Sequence, residues 1–522
     1  MTFKLTYSTM FNPPEEMHER FEAALAEVRS RLGATHALHI DGRDIAAART
    51  YAKHSPIDDR LLLGHFPLGD ADDVEKAMAA ARRAFAGWRT TPMKDRLALV
   101  RRAAALIEER VYAIGAAITL EVGKNRMESL GETQETADFF LGYADEFERN
   151  RGFDHVMPDD PLPDYRSHNR SVLKPHGVWA VITPFNYPLA LAGGPVAAAL
   201  VTGNTVVLKG ATDTPWAGRL LADCLRDAGF PAGVFNYLSG PGSVVGEAII
   251  NHPDLAGITV TGSAEVGMRI YRLMGAGAWP RPCIAEMGGK NPCVVTEHGD
   301  LERAATGIVR SAFGMCGQKC SALSRVYVES GVADALLERI VEKTKALRVG
   351  DPTRRENWLG PVISAGAARG FERYCAELLA GGGRVLTGAV RLSEGDLARG
   401  FFVAPTVAEA SHDHPLFKEE MFQPILMVNR VKNLDEAIER ANDTTLGLTA
   451  GVYGNDAEVA AFLDRIEAGV TYVNRPQGAT TGAWPGYQSF GGWKGSGSTG
   501  KAIGSFYYLP QYMREQSQTL VE

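Results

Sequence analysis

From Val178 onward the chain alternates short apolar runs with segments of helical length, and no other feature narrows the possible folds so far. VWAVIT (178–183), NTVVLKG (204–210), VFNYLSG (234–240) and AGITVTG (256–262) have continuous apolar centres. That is the pattern of strands covered on both faces. WAGRLLADCLRDAG and GSVVGEAIIN stand between them and read as helices. Strands separated by helices of this length need crossover connections, which implies a parallel, doubly wound sheet. A second series starts after Glu286: NPCVVTE, a helix over 301–314, SRVYVES, a helix over 332–346, PTVAEAS, PILMVNRV, a helix over 434–442 and GVTYVN. The 522 residues are too many for one ordinary core, and a second domain of similar design accounts for them. Upstream, residues 72–123 read as helices, with Val74, Met78, Ala81, Phe85 and Trp88 on one helical face. The stretch SFYYLPQYMREQSQTLV (505–521) reads as a terminal strand.

Composition excludes several classes. The net charge of −7 and the scattered Lys and Arg give no basic face for nucleic acid. Six cysteines, Cys224, Cys283, Cys293, Cys316, Cys320 and Cys375, are too sparse for a disulfide framework, so a reducing cytoplasm is expected. The N-terminal segment has no apolar core of a secretory signal, and Glu15, Glu16 and Glu19 argue against a transit peptide. Val178–Val201 is apolar and long enough to span a bilayer, but Pro184, Asn186, Pro188, the adjacent glycines and Pro195 interrupt it. It is expected to form a buried strand, a functional loop and a buried helix, with no membrane partner. His412-Asp413-His414 lacks further ligands, so no metal is expected. Gly495-Ser496-Gly497-Ser498-Thr499-Gly500 fits GxGxxG, yet it follows FGGWK rather than a strand and reads as a loop.

Three side chains could carry chemistry. Cys320, in GMCGQKCSA, stands next to Lys319, and a nearby cation favours a thiolate. Glu286 precedes two glycines, which suggests a bend with room for a ligand. Asn186 sits in a proline-bracketed turn after a strand, where its amide could donate to an oxyanion. Each alone is ordinary: a structural thiol, a turn acid, a turn amide.

Together they are not. ITPFNYP, NTVVLKGATDTP, VTGSAEVG, EMGGKNP, GQKCSA and EEMFQP occur in this order, and Glu286 and Cys320 are 34 positions apart. The set resembles the signature blocks of the aldehyde dehydrogenase superfamily, over about residues 60–505. The resemblance implies an α/β fold of two doubly wound parallel-sheet domains plus a small β element for oligomerisation. It divides the chain into a dinucleotide-binding domain (1–155 and 176–287), a catalytic domain (288–500) and an oligomerisation element (156–175 and 501–522). It further implies that Cys320 attacks an aldehyde, Asn186 and the Cys320 N–H hold the oxyanion, and Glu286 is the base for thioester hydrolysis.

For the cofactor, NAD with NADP possible, the resemblance implies Thr183, Pro184, Phe185, Lys209, Thr212, Gly242, Gly246, Thr261, Gly262, Ser263, Glu420 and Phe422. Thr212 stands where NAD-selective relatives often carry Glu, so a 2′-phosphate meets no carboxylate there. Gln423 replaces the usual Gly of its block, which leaves the local turn open. GQKCSA and the segment 474–492 look most like the 1-pyrroline-5-carboxylate dehydrogenase branch, whose members oxidise glutamate semialdehyde to glutamate. That likeness implies substrate contacts at Tyr187, Lys319, Ser321, Thr481, Gly482, Ala483 and Phe490. The alternatives are another semialdehyde or a broad-range aldehyde, a CoA-acylating relative, which would not need Glu286, and a non-catalytic protein on the same fold. A homo-oligomer, dimer or larger, is expected, with edge strands near 166–173 and 505–521 paired between copies.

Overall fold

The computed structural model describes Leu5 and residues 13–161, 163–476 and 484–522. Two seven-stranded sheets carry the architecture. In the first, the strands run in the order Cys283–Glu286, Leu255–Thr261, Val178–Ile182, Thr205–Lys209, Phe235–Leu238, Leu38–Ile40 and Arg43–Ile45. The first five are mutually parallel, as their wholly buried apolar centres require. The last two form an antiparallel hairpin edge that the sequence reading did not anticipate.

In the second sheet the order is Arg384–Thr387, Thr406–Glu409, Ile425–Val431, Leu323–Glu329, Asn291–Val295, Thr449–Tyr453 and Val470–Val473. Only Arg384–Thr387 runs antiparallel. A third sheet is wholly antiparallel. Ser167–Pro175 lies between Asp154–Met157 and Met513–Val521 and pairs with the latter from Ser167↔Val521 to Pro175↔Met513.

Four consecutive helices fill the chain between Ala71 and Arg149, ahead of strand Val178–Ile182. Ala71–Trp88 opens on a capping box between Asp70 and Asp73. Met93–Glu109 and Val111–Val122 follow, the latter closed by left-handed Gly123. Arg126–Arg149, 24 residues long and capped by Asn125, lies beyond the helical stretch read from the sequence. Its first half buries mostly polar side chains, Ser129, Glu132, Thr133, Gln134, Glu135 and Thr136, and an apolar stripe of Ala137, Phe140, Tyr143, Ala144 and Phe147 follows only in the second half. The Val178–Val201 stretch divides as expected into a buried strand, a loop and the buried helix Ala190–Val201, with Pro195 inside. Among the described residues no helix is long and apolar enough to cross a membrane.

Candidate active site

The order of the first sheet places a crevice. From Val178–Ile182 the chain builds outward through Thr205–Lys209 and Phe235–Leu238. It then returns to add Leu255–Thr261 and Cys283–Glu286 on the other side. The gap between Val178–Ile182 and Leu255–Thr261 is therefore a switch point, where connections leave in opposite directions and a crevice opens at the carboxyl ends. Ile182 pairs with Lys209 and Thr261 with Glu286, so Thr183, Lys209, Thr261 and Glu286 all stand at that rim.

Thr183, Pro184, Phe185, Asn186 and Tyr187 form the loop that leaves the rim toward helix Ala190–Val201. Thr261, Gly262 and Ser263 lead into helix Ala264–Gly275, where the Ser263 hydroxyl accepts from Val266 N–H (3.3 Å). A Cβ on Gly262, Gly242 or Gly246 would meet nothing within 4 Å, and the helix start offers backbone N–H groups, so an anion has both space and donors here. Lys209 Nζ donates to Gly210 O (3.1 Å), and burial pushes its pKa down to about 8. Thr212 is tied in place, donating to Gly240 O (3.1 Å) while its carbonyl accepts from the Tyr51 hydroxyl (2.6 Å).

The thiol comes from the second sheet. Cys320 lies between helix Leu301–Phe313 and strand Leu323–Glu329, just after Met315 and Cys316, both in left-handed backbone (φ 50° and 54°). Such conformations are costly for non-glycine residues and cluster at functional sites. Three motif blocks are stitched together here. Asn186 Nδ2 donates to Gln318 O (3.0 Å), and Asn291 Nδ2 donates to Cys320 O (2.7 Å) and Ala322 O (2.8 Å).

Gly288 and Gly289 do not make the bend that the sequence suggested; neither has a positive φ. They permit close approach instead. A Cβ on Gly288 would lie 1.9 Å from Glu420 Oε2, and one on Gly289 would lie 2.4 Å from Cys320 O. Gly289 N–H donates to Glu420 Oε1 (2.9 Å), and burial raises the Glu420 pKa. The turn around Gln423 is formed by Phe422 in left-handed backbone (φ 55°), with Gln423 Nε2 donating to Ala367 O (2.9 Å). Phe422 meets Phe185 edge-on at 5.8 Å between ring centres.

The electrostatics correct one expectation. Lys319 does not serve as the counter-ion of Cys320, because its ammonium is paired with Glu128 (2.6 Å). Burial opposes the charge of Lys319, yet Glu128 and Tyr187 outweigh it and hold the ammonium above the ordinary lysine range. The Cys320 thiol is pushed up to about 12, first by burial and then by the Glu420 and Glu286 carboxylates. Glu286 is itself raised to about 8 by burial, opposed by a backbone N–H from Gly492. Its Oε2 is buried with no hydrogen-bond partner among the described residues.

Ser321 O accepts a long bond from Thr449 Oγ1 (3.5 Å). Phe490 pairs through its backbone with Ile503 and is buried in the core against which Phe185, Tyr187 and Cys320 also pack. Thr481, Gly482 and Ala483 lie outside the described residues. The GxGxxG loop knits the rim from behind: Ser496 Oγ donates to Gly288 O (2.6 Å), Met287 N–H to Ser496 O (2.9 Å), and Gly497 bridges to Glu286. His412 bonds Tyr327 and Asp443, whereas His414 caps the turn at Leu416. The sequence reading passed over Asn291, although it lies inside EMGGKNP. It also passed over Lys124, Glu128 and Glu132, whose charges look like a solvated helix face until the fold buries Lys124 and Glu132 and pairs Glu128 with Lys319.

The aldehyde dehydrogenase family model matches residues 44–517. The chain is 38% identical over 514 residues to 1-pyrroline-5-carboxylate dehydrogenase of Geobacillus sp. (strain WCH70), covering 97% of both chains. A crystal structure of 1-pyrroline-5-carboxylate dehydrogenase from Thermus with bound NAD superposes with a TM-score of 0.91 at 34% identity, covering 98% of this chain and 97% of that one. Betaine aldehyde dehydrogenase from Staphylococcus aureus in complex with NAD+ superposes with a TM-score of 0.87 at 28% identity, covering 96% and 97%. On the match along nearly its whole length and the meeting of the six motif blocks at one crevice, this chain belongs to the aldehyde dehydrogenase family.

Proposed function

We propose that the chain oxidises L-glutamate 5-semialdehyde, the open form of 1-pyrroline-5-carboxylate, to glutamate, with NAD as hydride acceptor and Cys320 as nucleophile. The observation that carries this reading is the convergence on one loop. Asn186 from the first sheet holds Gln318 O, and Asn291 from the segment after Glu286 holds Cys320 O. The names of the relatives, at 38% identity over nearly the full length, support the substrate.

In this reading the first sheet binds the dinucleotide. Lys209 and Glu420 hold its riboses, and Thr261, Gly262 and Ser263, with Gly242 and Gly246, take its phosphates. Open space at those glycines and a buried lysine that, among the described residues, bonds the adjacent carbonyl alone fit that group. Bound NAD supplies the hydride acceptor. Cys320 gives its proton to solvent water and its sulfur bonds the aldehyde carbon, while the Asn186 amide and the Cys320 N–H take the resulting oxyanion. Once hydride has left that carbon, a thioester remains on Cys320. Glu286 then accepts a proton from water, whose oxygen bonds the acyl carbon; as the C–S bond breaks the sulfur leaves as thiolate and takes that proton from Glu286, which regenerates the thiol and the carboxylate. Lys319, Ser321, Tyr187 and Phe490 line the substrate's side of Cys320.

The test compares kcat/KM for glutamate semialdehyde, succinate semialdehyde and a plain alkyl aldehyde, in wild type and Cys320→Ala. Wild type should favour glutamate semialdehyde. The variant should bind dinucleotide and turn over nothing. A preference for either other aldehyde removes the substrate assignment, and turnover by the variant removes the covalent route.

A further inference from the structure

Helix Ala190–Val201, which follows the Asn186 loop, has no side-chain cap of its own; the residue at its N-cap is Leu189. Glu132, from helix Arg126–Arg149, caps it from outside. Its Oε1 accepts from Leu189 N–H (2.8 Å) and Ala190 N–H (3.2 Å). Its Oε2 takes Lys124 Nζ at 2.5 Å, and both side chains are wholly buried. Lys124 Nζ also lies 3.5 Å from the centre of the Tyr187 ring. One ion pair therefore grips the chain immediately after Asn186 twice, at the ring of residue 187 and at the backbone of residues 189 and 190. From the other side, the Asn186 amide is held by Gln318 O (3.0 Å).

Stability alone does not account for such a pair. Taking both charges out of water is expensive, and well-packed apolar side chains of similar volume often serve as well or better. Burial pushes the Lys124 pKa down, and Glu132 works against that push. What apolar replacements could not do is accept two backbone N–H groups at a helix start, where those donors otherwise lack partners.

We propose that Lys124 and Glu132 are positioning residues that aim the Asn186 amide at the reacting carbonyl by clamping Tyr187 and the start of the following helix. The proposal rests on the assignment of Asn186 to the oxyanion. Misplacing a catalytic group by about 1 Å costs on the order of 100-fold in rate, so the clamp reads out in the chemical step and not in cofactor binding.

The experiment is single-turnover NADH formation, with KM for NAD and Tm measured beside it, for Glu132→Ala, Glu132→Gln, Lys124→Met with Glu132→Gln, Asn186→Ala, and Asn186→Ala combined with each Glu132 variant. Glu132→Ala should slow the single turnover by at least about tenfold with KM for NAD unchanged. Glu132→Gln keeps an oxygen for the two N–H groups and should recover part of the rate. The Lys124→Met and Glu132→Gln pair, which leaves no unpaired charge, should recover more. In the Asn186→Ala background neither Glu132 variant should cost anything further, because residues acting through one another are not additive.

A wild-type single-turnover rate in Glu132→Ala, with only Tm lowered, overturns the proposal. So does a full additional loss in the Asn186→Ala background. If Glu132→Ala does not fold, the same cycle with Glu132→Gln decides by the same criterion. Asn186→Ala at the wild-type rate would instead overturn the oxyanion assignment itself, and the clamp with it.

Discussion

Cys320 sits in a place that works against its ionisation. Its neighbour Lys319 is committed to Glu128, and its thiol faces two carboxylates under burial that pushes it up to about 12. The resting thiol is therefore protonated at neutral pH. In cofactor-free protein its alkylation by iodoacetamide, read by mass spectrometry at Cys320, should keep climbing past pH 10, where an ordinary thiol near 8.5 has levelled off. A plateau below pH 10 would show that something nearby ionises it. Glu286 carries the complementary expectation. A base works only as the carboxylate, and burial raises Glu286 to about 8, so kcat should rise with pH through about 8. Glu286→Gln should flatten that rise and slow deacylation by about 100-fold or more, yet still give a burst of reduced cofactor in stopped flow. Loss of the burst would move Glu286 to the earlier proton transfer from Cys320.

At the scale of elements, the active-site loops depend on how closely helices Arg126–Arg149 and Ala190–Val201 approach. A Cβ on Gly193 would lie 2.3 Å from Thr136 Cγ2, whereas one on Gly87, exposed in helix Ala71–Trp88, would meet nothing within 4 Å. The same substitution should therefore act with opposite sign at the two sites. Gly193→Ala should destabilise by about 1–3 kcal/mol through overpacking, and should slow the single turnover because that helix anchors Asn186. Gly87→Ala should stabilise by about 0.5–1 kcal/mol through the unfolded chain and leave kinetics alone. Urea unfolding of the two variants checks both signs, and equal shifts would mean that helix packing does not constrain the loop.

For the whole molecule, the third sheet presents strands Asp154–Met157 and Met513–Val521 as its two edges. Val156, Met157, Leu520 and Val521 are exposed upon it. Long edges bearing apolar side chains invite pairing with another chain. Light scattering should find a homodimer or a larger closed assembly, and deletion of 513–522 should reduce its mass. A fully active monomer in dilute solution would defeat this. The same sheet corrects the sequence reading, in which segments 166–173 and 505–521 both pair with another copy: Ser167–Pro175 is the central strand, paired on one side with Met513–Val521 and on the other with Asp154–Met157 of the same chain, so only the outer two strands have edges to offer.

Strand-and-helix alternation from Val178 and six ordered motif blocks determined the family and the two-sheet design, because apolar periodicity and turn chemistry are local properties of a chain. They also singled out Cys320, Glu286 and Asn186, each of which the structure places at or beside the crevice. Tertiary structure alone decided the rest. The first half of helix Arg126–Arg149 buries mostly polar side chains, Glu132 among them, so no hydrophobic pattern marks that part of its inward face. Lys319, which beside Cys320 reads as the thiol's counter-ion, belongs to Glu128, 191 positions away in the chain. The two glycines after Glu286 are required by a carboxylate and a carbonyl from distant segments. The Lys124–Glu132 pair, which in one dimension resembles a solvated helix face, becomes a buried clamp once residues 189 and 190 are folded against it. Charge and close packing act through space, and spatial neighbours are fixed only when the sheets and helices have closed upon one another.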